Sequence, residues 1–372
     1  MPKLRIAQVT EFYYPHVGGI CEHVHHLARE ARTLGHHVDI ITSRIDATES
    51  PGVIRFGQSV PVFSNGSLAR ITVGRSLRRQ MRDVLTAGRY DIVHVHAPLT
   101  PTLPLLAVEE ARCPVVGTFH ADLGYSMAYT LGGRFFQRRM SRLAAAVAVS
   151  PTVINGHGRY FDADWTVIPN GVDVDFFTPE APRPSAIRPD VPSVLFLGRF
   201  DPRNGLATLI DAFRQVRGRR RPVQLVVVGD GPLRGYYRRL AKGDRDIIFV
   251  GAAKFEDRPP YYANAAVYAC PTMTGSFGIT LLESMACGTA IVCSEIDGFS
   301  HVVTHGREAI MFPVGSVRGL ADALVQALDD DALRERLGVA GRQRALHFAW
   351  PQVTESVLRL YAHVLGEQRI AS

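Results

Sequence analysis

The feature that most constrains the fold is an alternation of short β-branched runs with helical stretches, which the sequence contains twice. The first series of predicted strands comprises Leu4–Val9, Val38–Thr42, Ile92–His96, Val115–Phe119, Ala145–Val149 and Trp165–Ile168. The second comprises Val194–Leu197, Leu225–Val228, Ile247–Val250, Val267–Cys270, Ala290–Cys293 and Ile310–Phe312. Because strands that alternate with helices form parallel sheets, we expect an α/β protein with two doubly wound sheets.

Length and proline content predict the domain boundaries. The 372 residues exceed what one hydrophobic core usually serves, and a proline-rich stretch at 178–192 predicts an extended linker. We expect domains at 1–180 and 181–345, and then a C-terminal segment, 346–372, with an amphipathic helical pattern. Ligands of such sheets bind at the carboxyl ends of the strands, which predicts a site in a cleft between the two domains.

Composition and charge restrict the class of protein. The five cysteines are scattered without a Cys-x-x-Cys pair, and His23, His25 and His26 lack a matching set of carboxylates or thiols, so we expect no metal site. No apolar run approaches the ~20 residues that span a bilayer, and no signal-peptide pattern is present, which predicts a cytoplasmic protein. The net charge of +7 favours anionic partners, but no nucleic-acid motif accompanies it.

A glycine-containing loop that leads into a helix is the strongest candidate for a binding site. It begins at Thr274 and includes Gly275, Ser276, Phe277, Gly278 and Ile279. The amides and the positive dipole end of a helix suit a diphosphate. Glu283 follows within the same helix, where its two carboxylate oxygens match a ribose diol. The alternative for Glu283 is an ordinary solvated helix residue.

Shorter motifs at predicted strand ends suggest further contacts with phosphate. Gly18 and Gly19 either let the backbone approach a phosphate closely or form a plain tight turn. Arg199 follows a strand, where its guanidinium can neutralise a leaving diphosphate. Gly229 and Gly231 are similar to part of a dinucleotide fingerprint, but the first strand–helix turn lacks that fingerprint, which disfavours a dehydrogenase.

Taken in order, these motifs resemble those of glycosyltransferase family 4, a family of retaining enzymes with the GT-B fold. They are Val17-Gly18-Gly19, Gly117-Thr118-Phe119-His120, Val149-Ser150, Ile168-Pro169-Asn170-Gly171-Val172-Asp173, Gly198-Arg199-Phe200, Val228-Gly229-Asp230-Gly231-Pro232 and the block Thr274–Ala290. The resemblance covers nearly the whole chain. It implies two Rossmann-like domains that face each other across a deep cleft. The N-terminal domain would bind the acceptor and the C-terminal domain the nucleotide sugar, and the C-terminal helix would return to the N-terminal domain.

The resemblance also implies roles for particular residues. His120 would lie near the anomeric carbon, and Arg199 and Arg203 would stabilise the leaving diphosphate; these three form the expected catalytic set. The implied donor-binding set is Gly18, Gly19, Arg199, Arg203, Asn204, Gly229, Gly231, Gly275, Ser276, Phe277, Gly278, Ile279 and Glu283. GDP-mannose is the favoured donor and a UDP-sugar the alternative. No cofactor would be obligatory, and magnesium would at most stimulate.

Two positions depart from the family pattern. Asn204 stands where the family has a phosphate-binding lysine, although Arg203 beside it can reach the same anion. Gly275 replaces the first glutamate of the Glu-x7-Glu signature, whose carboxylate in the family holds hydroxyls of the transferred sugar. A non-catalytic protein that binds nucleotide sugars is therefore one alternative function.

A narrower likeness is to the phosphatidylinositol mannosyltransferases. It implies an inositol phospholipid as the acceptor, contacted by Asn65, Ser67 and Arg70. Another alternative is a UDP-sugar-dependent transferase of an antibiotic, thiol or polysaccharide pathway.

A basic helical face is a separate signal for a membrane surface. Its members, spaced so that they share one side of a helix, are Arg75, Arg78, Arg79 and Arg82. Such a face can lie on anionic lipid, or it can simply be solvated. The first alternative predicts a cytoplasmic protein that is peripheral at the inner face of the cell membrane.

Overall fold

The structure is a computed structural model, which describes residues 2–15, 18–45, 50–64, 67–219 and 222–371. The chain forms two compact units, Met1–Asn170 with Trp350–Ser372, and Gly171–Ala349. Each unit contains a parallel sheet with helices between its strands, which confirms the predicted α/β class with two Rossmann-like domains.

The division between the units falls earlier in the chain than the proline-rich stretch suggests. Residues 178–192 belong to the second unit and pack on it: Ile187 is buried, and Asn264 Nδ2 donates to the carbonyl oxygen of Ala181 at 3.0 Å. The prolines favour an extended backbone, but apolar side chains between them pack against the second unit. The stretch is therefore extended without being a free linker.

The first unit contains nine strands and seven helices within the described residues. The strands are β1 (Arg5–Val9), β2 (His37–Ser43), β3 (Val53–Phe56), β4 (Gln58–Ser64), β5 (Ser67–Val73), β6 (Ile92–His96), β7 (Val115–Phe119), β8 (Ala145–Ala148) and β9 (Trp165–Val167). The helices are α1 (Gly19–Thr33), α2 (Leu77–Gly88), α3 (Leu103–Glu110), α4 (Met127–Leu131), α5 (Gly133–Met140), α6 (Pro151–His157) and, at the end of the chain, α14 (Trp350–Ala371). The parallel sheet has the order β3-β2-β1-β6-β7-β8-β9.

The C-terminal helix completes the core of the first unit. Apolar residues of α14 recur at helical spacing and are buried in one cluster with α1 and the central strands: Val353, Val357, Tyr361 and Val364. The Tyr361 hydroxyl also lies 2.6 Å from Nδ1 of His94 on β6. Because each fully buried large apolar side chain contributes about 1.5–3 kcal/mol, α14 is an integral part of this unit.

The second unit is built on a six-stranded parallel sheet. Its strands are β10 (Ser193–Leu197), β11 (Gln224–Val228), β12 (Ile247–Gly251), β13 (Val267–Cys270), β14 (Ile291–Glu295) and β15 (Ala309–Pro313). Its helices are α7 (Leu206–Arg219), α8 (Arg234–Leu240), α9 (Pro259–Ala263), α10 (Ile279–Ala286), α11 (Asp297–Ser300), α12 (Val317–Asp329) and α13 (Asp331–Leu346). The strand order is β12-β11-β10-β13-β14-β15, and short 3₁₀ turns occur at Pro202–Asn204 and Phe255–Asp257.

In both sheets, the direction in which successive strands are added changes beside the first strand. In the first unit the reversal lies between β1 and β6, and in the second it lies between β10 and β13. The carboxyl ends of strands at such a reversal form the usual ligand crevice of doubly wound folds. This topology therefore selects one edge of each sheet as the place to look for a site.

The strand pattern of the sequence did not predict the secondary structure of the segment between β2 and α2. It forms the edge strand β3 and the antiparallel hairpin β4–β5. Asn65 and Gly66, which lie between the two strands in the sequence, are outside the described residues. Among the described residues, no helix combines the length and the apolar character needed to cross a membrane.

Candidate active site

In the second unit, the loop between β13 and α10 carries the predicted donor-binding glycines. Gly278 precedes the helix with a φ of +93°, a left-handed conformation that favours glycine. A Cβ on Gly298 would lie 2.0 Å from the carbonyl oxygen of Gly275, so α11 approaches this loop closely. Phe277 is buried, whereas Ser276 and Ile279 are half-buried. Backbone packing thus holds the loop in shape at the start of α10.

Gly275 itself is not required by local packing. A Cβ at this position would lie 3.5–3.6 Å from its nearest neighbours, on Ile296, Phe299 and Thr272, which is ordinary contact distance. The departure from the family glutamate therefore has no cause in the fold of this loop.

Glu283 lies buried within α10, so the alternative of a solvated helix residue is wrong. Its side chain is engaged on both oxygens: Oε2 accepts from the Tyr262 hydroxyl at 2.7 Å, and Oε1 accepts from Arg258 Nη1 at 3.2 Å. Burial, together with the charge of Glu283, raises the pKa of Tyr262 well above its ordinary value. A carboxylate has about four lone-pair sites, so two donors orient it and leave acceptor capacity for a ribose diol.

The turn after β10 presents one exposed cation and one paired cation. Arg199 is exposed two residues beyond the strand, and its carbonyl oxygen accepts from Asn204 Nδ2 at 2.8 Å. Arg203 instead forms a two-point ion pair with Asp201, with Nη2–Oδ2 at 2.8 Å and Nε–Oδ1 at 3.1 Å. The hydrogen bond from Arg203 lowers the pKa of Asp201. The Arg203 guanidinium is therefore paired in this structure, and Asn204 braces the turn.

Gly229 and Gly231 allow two strand-end loops to pack against each other. Gly229 has a φ of +143°, and a Cβ there would lie 1.9 Å from the carbonyl oxygen of Gly198. A Cβ on Gly231 would approach Phe200 to 2.9 Å. The packing of these loops therefore requires glycine at both positions, whether or not a ligand binds there.

In the first unit, four histidines collect around the carboxyl ends of β6 and β7. His94 and His96 lie on β6, His120 directly follows β7, and His23 comes from α1. His96 Nδ1 lies 3.0 Å from His120 Nε2. The His23 ring packs edge-on against His96 and His120, with ring centres 5.4 and 4.8 Å apart. The predicted catalytic histidine is thus one member of a cluster.

Amide and hydroxyl groups bind the outer nitrogens of this cluster. His96 Nε2 lies 3.0 Å from Gln8 Oε1, and His23 Nδ1 lies 2.9 Å from Asn170 Oδ1. Since an amide oxygen only accepts, each of these ring nitrogens carries the proton. His94 is bonded on both sides, by Tyr361 and by Thr118.

All four imidazoles are neutral at pH 7. Burial lowers the pKa of His23 to about 4 and that of His94 to about 3, and repulsion from neighbouring histidines adds to the effect. The same causes hold the pKa of His96 and of His120 well below the usual range. His120 is therefore a hydrogen-bonding group rather than a cation.

Gly18 and Gly19 lie at the start of α1. Gly18 is extended, with a φ of 176°, and its carbonyl oxygen accepts the first helical hydrogen bond from Glu22 N at 3.0 Å. The pair thus begins a helix of 15 residues, a position where amides point out of the helix end.

The predicted basic face of four arginines is not a single helical face. The helix begins at Leu77, after Ser76 in a left-handed conformation, so Arg75 lies outside it. Arg78 is paired with Glu109 and Glu110 of α3, and Arg82 with Glu110 at 2.7 Å. The spacing was right for Arg78, Arg79 and Arg82, but the sequence could not show that α3 supplies the counter-charges of Arg78 and Arg82.

The predicted acceptor residues fall on the hairpin. Asn65 lies outside the described residues, and Ser67 begins β5. Arg70 binds back to the hairpin itself, with Nε 2.9 Å from Ser59 Oγ.

The sequence did not reveal three residues of the candidate site, because the side chains that they contact are distant in sequence. Arg258 and Tyr262 fix Glu283 from 25 and 21 residues away, and Gln8 contacts His96 across 88 residues. Of these three contacts, only that of Gln8 could have been predicted, because Gln8 lies on a central strand beside β6.

The chain matches two family models and is similar to characterised proteins along its whole length. The model described as Glycosyltransferase Family 4 matches residues 17–176, and that described as Glycosyl transferases group 1 matches residues 191–330. The chain is 35% identical to the phosphatidyl-myo-inositol mannosyltransferase of Mycobacterium tuberculosis, over 98% of both chains. It is 27% identical to the D-inositol 3-phosphate glycosyltransferase of Jonesia denitrificans, over 92% of this chain and 91% of the other.

A solved structure shares the fold. The glycosyltransferase of Rickettsia africae superposes with a TM-score of 0.79 at 18% identity, over 98% of this chain and 99% of the other.

Proposed function

Because this chain belongs to glycosyltransferase family 4, we propose that it transfers mannose from GDP-mannose to a phosphatidylinositol-type lipid, with retention at the anomeric carbon. The observation that carries this proposal is the 35% sequence identity, over 98% of both chains, with a relative whose name gives both the sugar and the acceptor. Glycosyltransferase activity follows from the family itself. The sugar, the lipid and the stereochemistry are the proposed part.

The second unit contains groups that suit each part of the nucleotide. The amides that begin α10 and the exposed guanidinium of Arg199 suit the diphosphate, since both offer positive charge to an anion. Glu283, oriented by Tyr262 and Arg258, is assigned to the ribose. In this proposal Arg203 acts on the turn and contacts the diphosphate only if its pair with Asp201 opens.

The proposed transfer needs no protein nucleophile. The acceptor oxygen forms a bond to the anomeric carbon on the face from which the diphosphate leaves, and the bond from that carbon to the phosphate oxygen breaks. The departing phosphate takes the proton of the acceptor hydroxyl. Arg199 and the helix amides stabilise the charge that grows on the phosphate, and neutral His120 offers a hydrogen bond near the sugar.

An exposed apolar patch on α4 and α5 suits a lipid surface better than the arginines of α2 do. The patch is formed by Tyr125, Met127, Leu131 and Phe135, whose exposed fractions are 81%, 65%, 82% and 49%. Exposed Arg134 and Arg138 flank it. Apolar side chains beside cations are the composition of segments that lie in the interface of an anionic membrane.

The test of the membrane surface is sedimentation with vesicles that contain phosphatidylinositol. The double variant Met127→Ser/Leu131→Ser should lose binding, whereas Leu346→Ser, which removes an exposed apolar side chain from α13, should retain it. Equal binding by the two variants would show that another surface contacts the lipid.

The test of the reaction is transfer of labelled mannose from GDP-mannose into the lipid phase. The purified protein should label phosphatidylinositol, and proton NMR of the product should show the anomeric configuration of the donor. Transfer only from a UDP-sugar to a soluble acceptor would replace this proposal with the pathway alternative, which the similarity to a D-inositol 3-phosphate glycosyltransferase favours.

A non-catalytic nucleotide-sugar-binding function is the other candidate. Gly275 and Asn204 favour it, since they stand where the family has a glutamate and a lysine at the donor. Donor binding by calorimetry without transfer or slow donor hydrolysis would establish this alternative.

A further inference from the structure

Three histidines of the first unit have ring nitrogens that lie close enough together to hold one metal ion. One nitrogen each from His23, His96 and His120 lies within 4.8 Å of the others. His96 Nδ1 and His120 Nε2 are 3.0 Å apart. His23 Nε2 is buried and, among the described residues, has no hydrogen-bond partner.

Hydrogen bonds to the outer nitrogens of His23 and His96 hold each ring in the tautomer that a metal ion requires. The amide oxygens of Gln8 and Asn170 accept from His96 Nε2 and His23 Nδ1, so His96 Nδ1 and His23 Nε2 carry lone pairs. Metal-binding histidines are typically oriented in this way, by a carbonyl or carboxylate on the nitrogen that does not bind the ion. His120 becomes a ligand when its proton moves from Nε2 to Nδ1, which leaves the ring neutral.

The spacing of the rings matches three imidazoles around one ion. The ring centres are 4.8, 5.3 and 5.4 Å apart. Imidazoles bound through nitrogen at about 2.0–2.1 Å in tetrahedral geometry have ring centres about 5 Å apart and nitrogens about 3.3 Å apart. Since the nitrogens lie within 4.8 Å of one another in the structure, binding of an ion would draw them closer together.

We propose that His23, His96 and His120 bind one divalent transition-metal ion of the zinc type. Three neutral nitrogen ligands select zinc, cobalt, nickel or copper over magnesium, which prefers oxygen. The fourth position of a tetrahedral ion lies open to water or another ligand. His94 is outside the site because both of its nitrogens have partners.

A bound ion has a consequence for transfer. It takes the Nε2 lone pair of His120 and fixes the ring, so the ion and the donor sugar compete for this side chain. The ion therefore inhibits transfer. This consequence rests on the proposed function, but the metal site does not.

The sequence concealed the site because its ligands come from three elements. His23 lies on α1, His96 ends β6 and His120 follows β7, so no short spacing motif joins them. The run His23, His25 and His26 suggested a cluster, but His25 bonds Tyr13 instead, at 3.0 Å.

The test is a titration of tag-free, chelator-treated protein with Zn²⁺, followed by calorimetry, and with Co²⁺, followed by its visible absorption. We expect one ion per chain and the absorption of a four-coordinate nitrogen site. His23→Gln and His96→Gln should each weaken binding by about tenfold or more, and Asn170→Ala by about 10–100-fold. His25→Gln, on the same helix, should bind as the parent does, and Mg²⁺ should not compete.

Two results would overturn the proposal. One is a parent protein without a stoichiometric Zn²⁺ site at pH 7.5, which decides the matter even if a variant fails to fold. The other is parental affinity in folded His23→Gln and His96→Gln, as checked by circular dichroism. Either result would identify the cluster as a hydrogen-bonded support for His120. Loss of transfer activity alone decides nothing about the ion, so the proposed function is tested separately.

Discussion

The two sheets share one topology, but their carboxyl edges are stabilised by different chemistry. In the first unit the groups at this edge are neutral imidazoles, held by amides and hydroxyls. In the second unit they are charged: Glu283 with Arg258, and Asp201 with Arg203. The same backbone frame therefore supports one site that depends on uncharged imidazoles and one site that depends on ion pairs.

This difference predicts which disturbance affects which unit. Acid should act first on the neutral edge, because the unfolded chain binds protons that the buried histidines exclude. Removal of a single charged partner should act first on the second edge, because it breaks an ion pair whose carboxylate is largely shielded from water. Both tryptophans, Trp165 and Trp350, lie in the first unit, so their fluorescence reports on that unit alone.

The largest expected effect is the loss of stability of the first unit in acid. His23 and His94 have folded pKa values of about 4 and about 3, below the unfolded value near 6.5, so their contribution is complete above pH 6.5 and is lost as the pH falls towards those values. Each unit of difference is worth about 1.4 kcal/mol. Thermal unfolding followed by tryptophan fluorescence should shift downward from pH 7 to pH 5.

The control for this pH effect is a histidine at the surface. His23→Gln should flatten the dependence of the fluorescence transition on pH, and exposed His37→Gln, in the same unit, should leave it as in the parent. A fluorescence transition that does not move between pH 7 and pH 5 would contradict the assignment of neutral, buried histidines.

The next effect is on the second unit and comes from Glu283→Ala. This variant breaks the ion pair with Arg258 and leaves the buried Tyr262 hydroxyl without its acceptor, so it should lower the free energy of unfolding by about 3–5 kcal/mol. Binding of a nucleoside diphosphate should weaken by about 1.5–3 kcal/mol in calorimetry. The matched control is Asp322→Ala, which removes an exposed carboxylate of the same unit. Equal free energies of unfolding for the two variants would mean that the pair of Glu283 with Arg258 is not important for stability.

The two arginines of the turn after β10 sharpen the comparison within the second unit. Arg199→Ala should raise the barrier to transfer by roughly 3 kcal/mol, the scale of removing one positioned charge donor. Arg203→Ala should reduce turnover less, because its guanidinium is already paired with Asp201. Turnover numbers measured at saturating donor decide between them. A larger loss from Arg203→Ala would show that its ion pair opens to bind the donor.

The smallest effect concerns Gly275→Glu, which restores the family carboxylate. The position has room for a Cβ, so the variant should fold, and turnover with GDP-mannose should increase by a factor that corresponds to about 1.5–3 kcal/mol. Gly298→Ala serves as a contrast, since its Cβ would meet the carbonyl of Gly275 at 2.0 Å. Reduced turnover would indicate a pocket adapted to another sugar, and unchanged turnover would place residue 275 away from the sugar.

The sequence predicted the sheets well because their signal is local. All twelve predicted strands have counterparts, within a few residues, in the two parallel sheets. The hairpin β4–β5 was missed, since Pro61 and several polar residues weaken its strand pattern. The path through 178–192 was also misjudged, because composition does not show what a proline-rich segment packs against.

The chemical detail of the site could be predicted only in part. The positions of His120, Arg199 and Glu283 at strand or helix ends were visible in the sequence, and so was the glycine loop. The pairing of Arg203 with Asp201 and the burial of Glu283 were not, because they depend on which side chains meet after folding. Pairing decides whether an arginine is a free cation, so residue type alone cannot assign its role.

The return of α14 to the first unit has a consequence for synthesis of the chain. Ribosomes deliver the N-terminus first, and N-terminal domains usually fold first. In this protein the first unit lacks Trp350, Val357 and Tyr361 until the whole of Gly171–Ala349 has been made. The second unit, although later in the sequence, is therefore the first that can be completed. Until α14 arrives, the apolar surface beneath it is open to water and to chaperones.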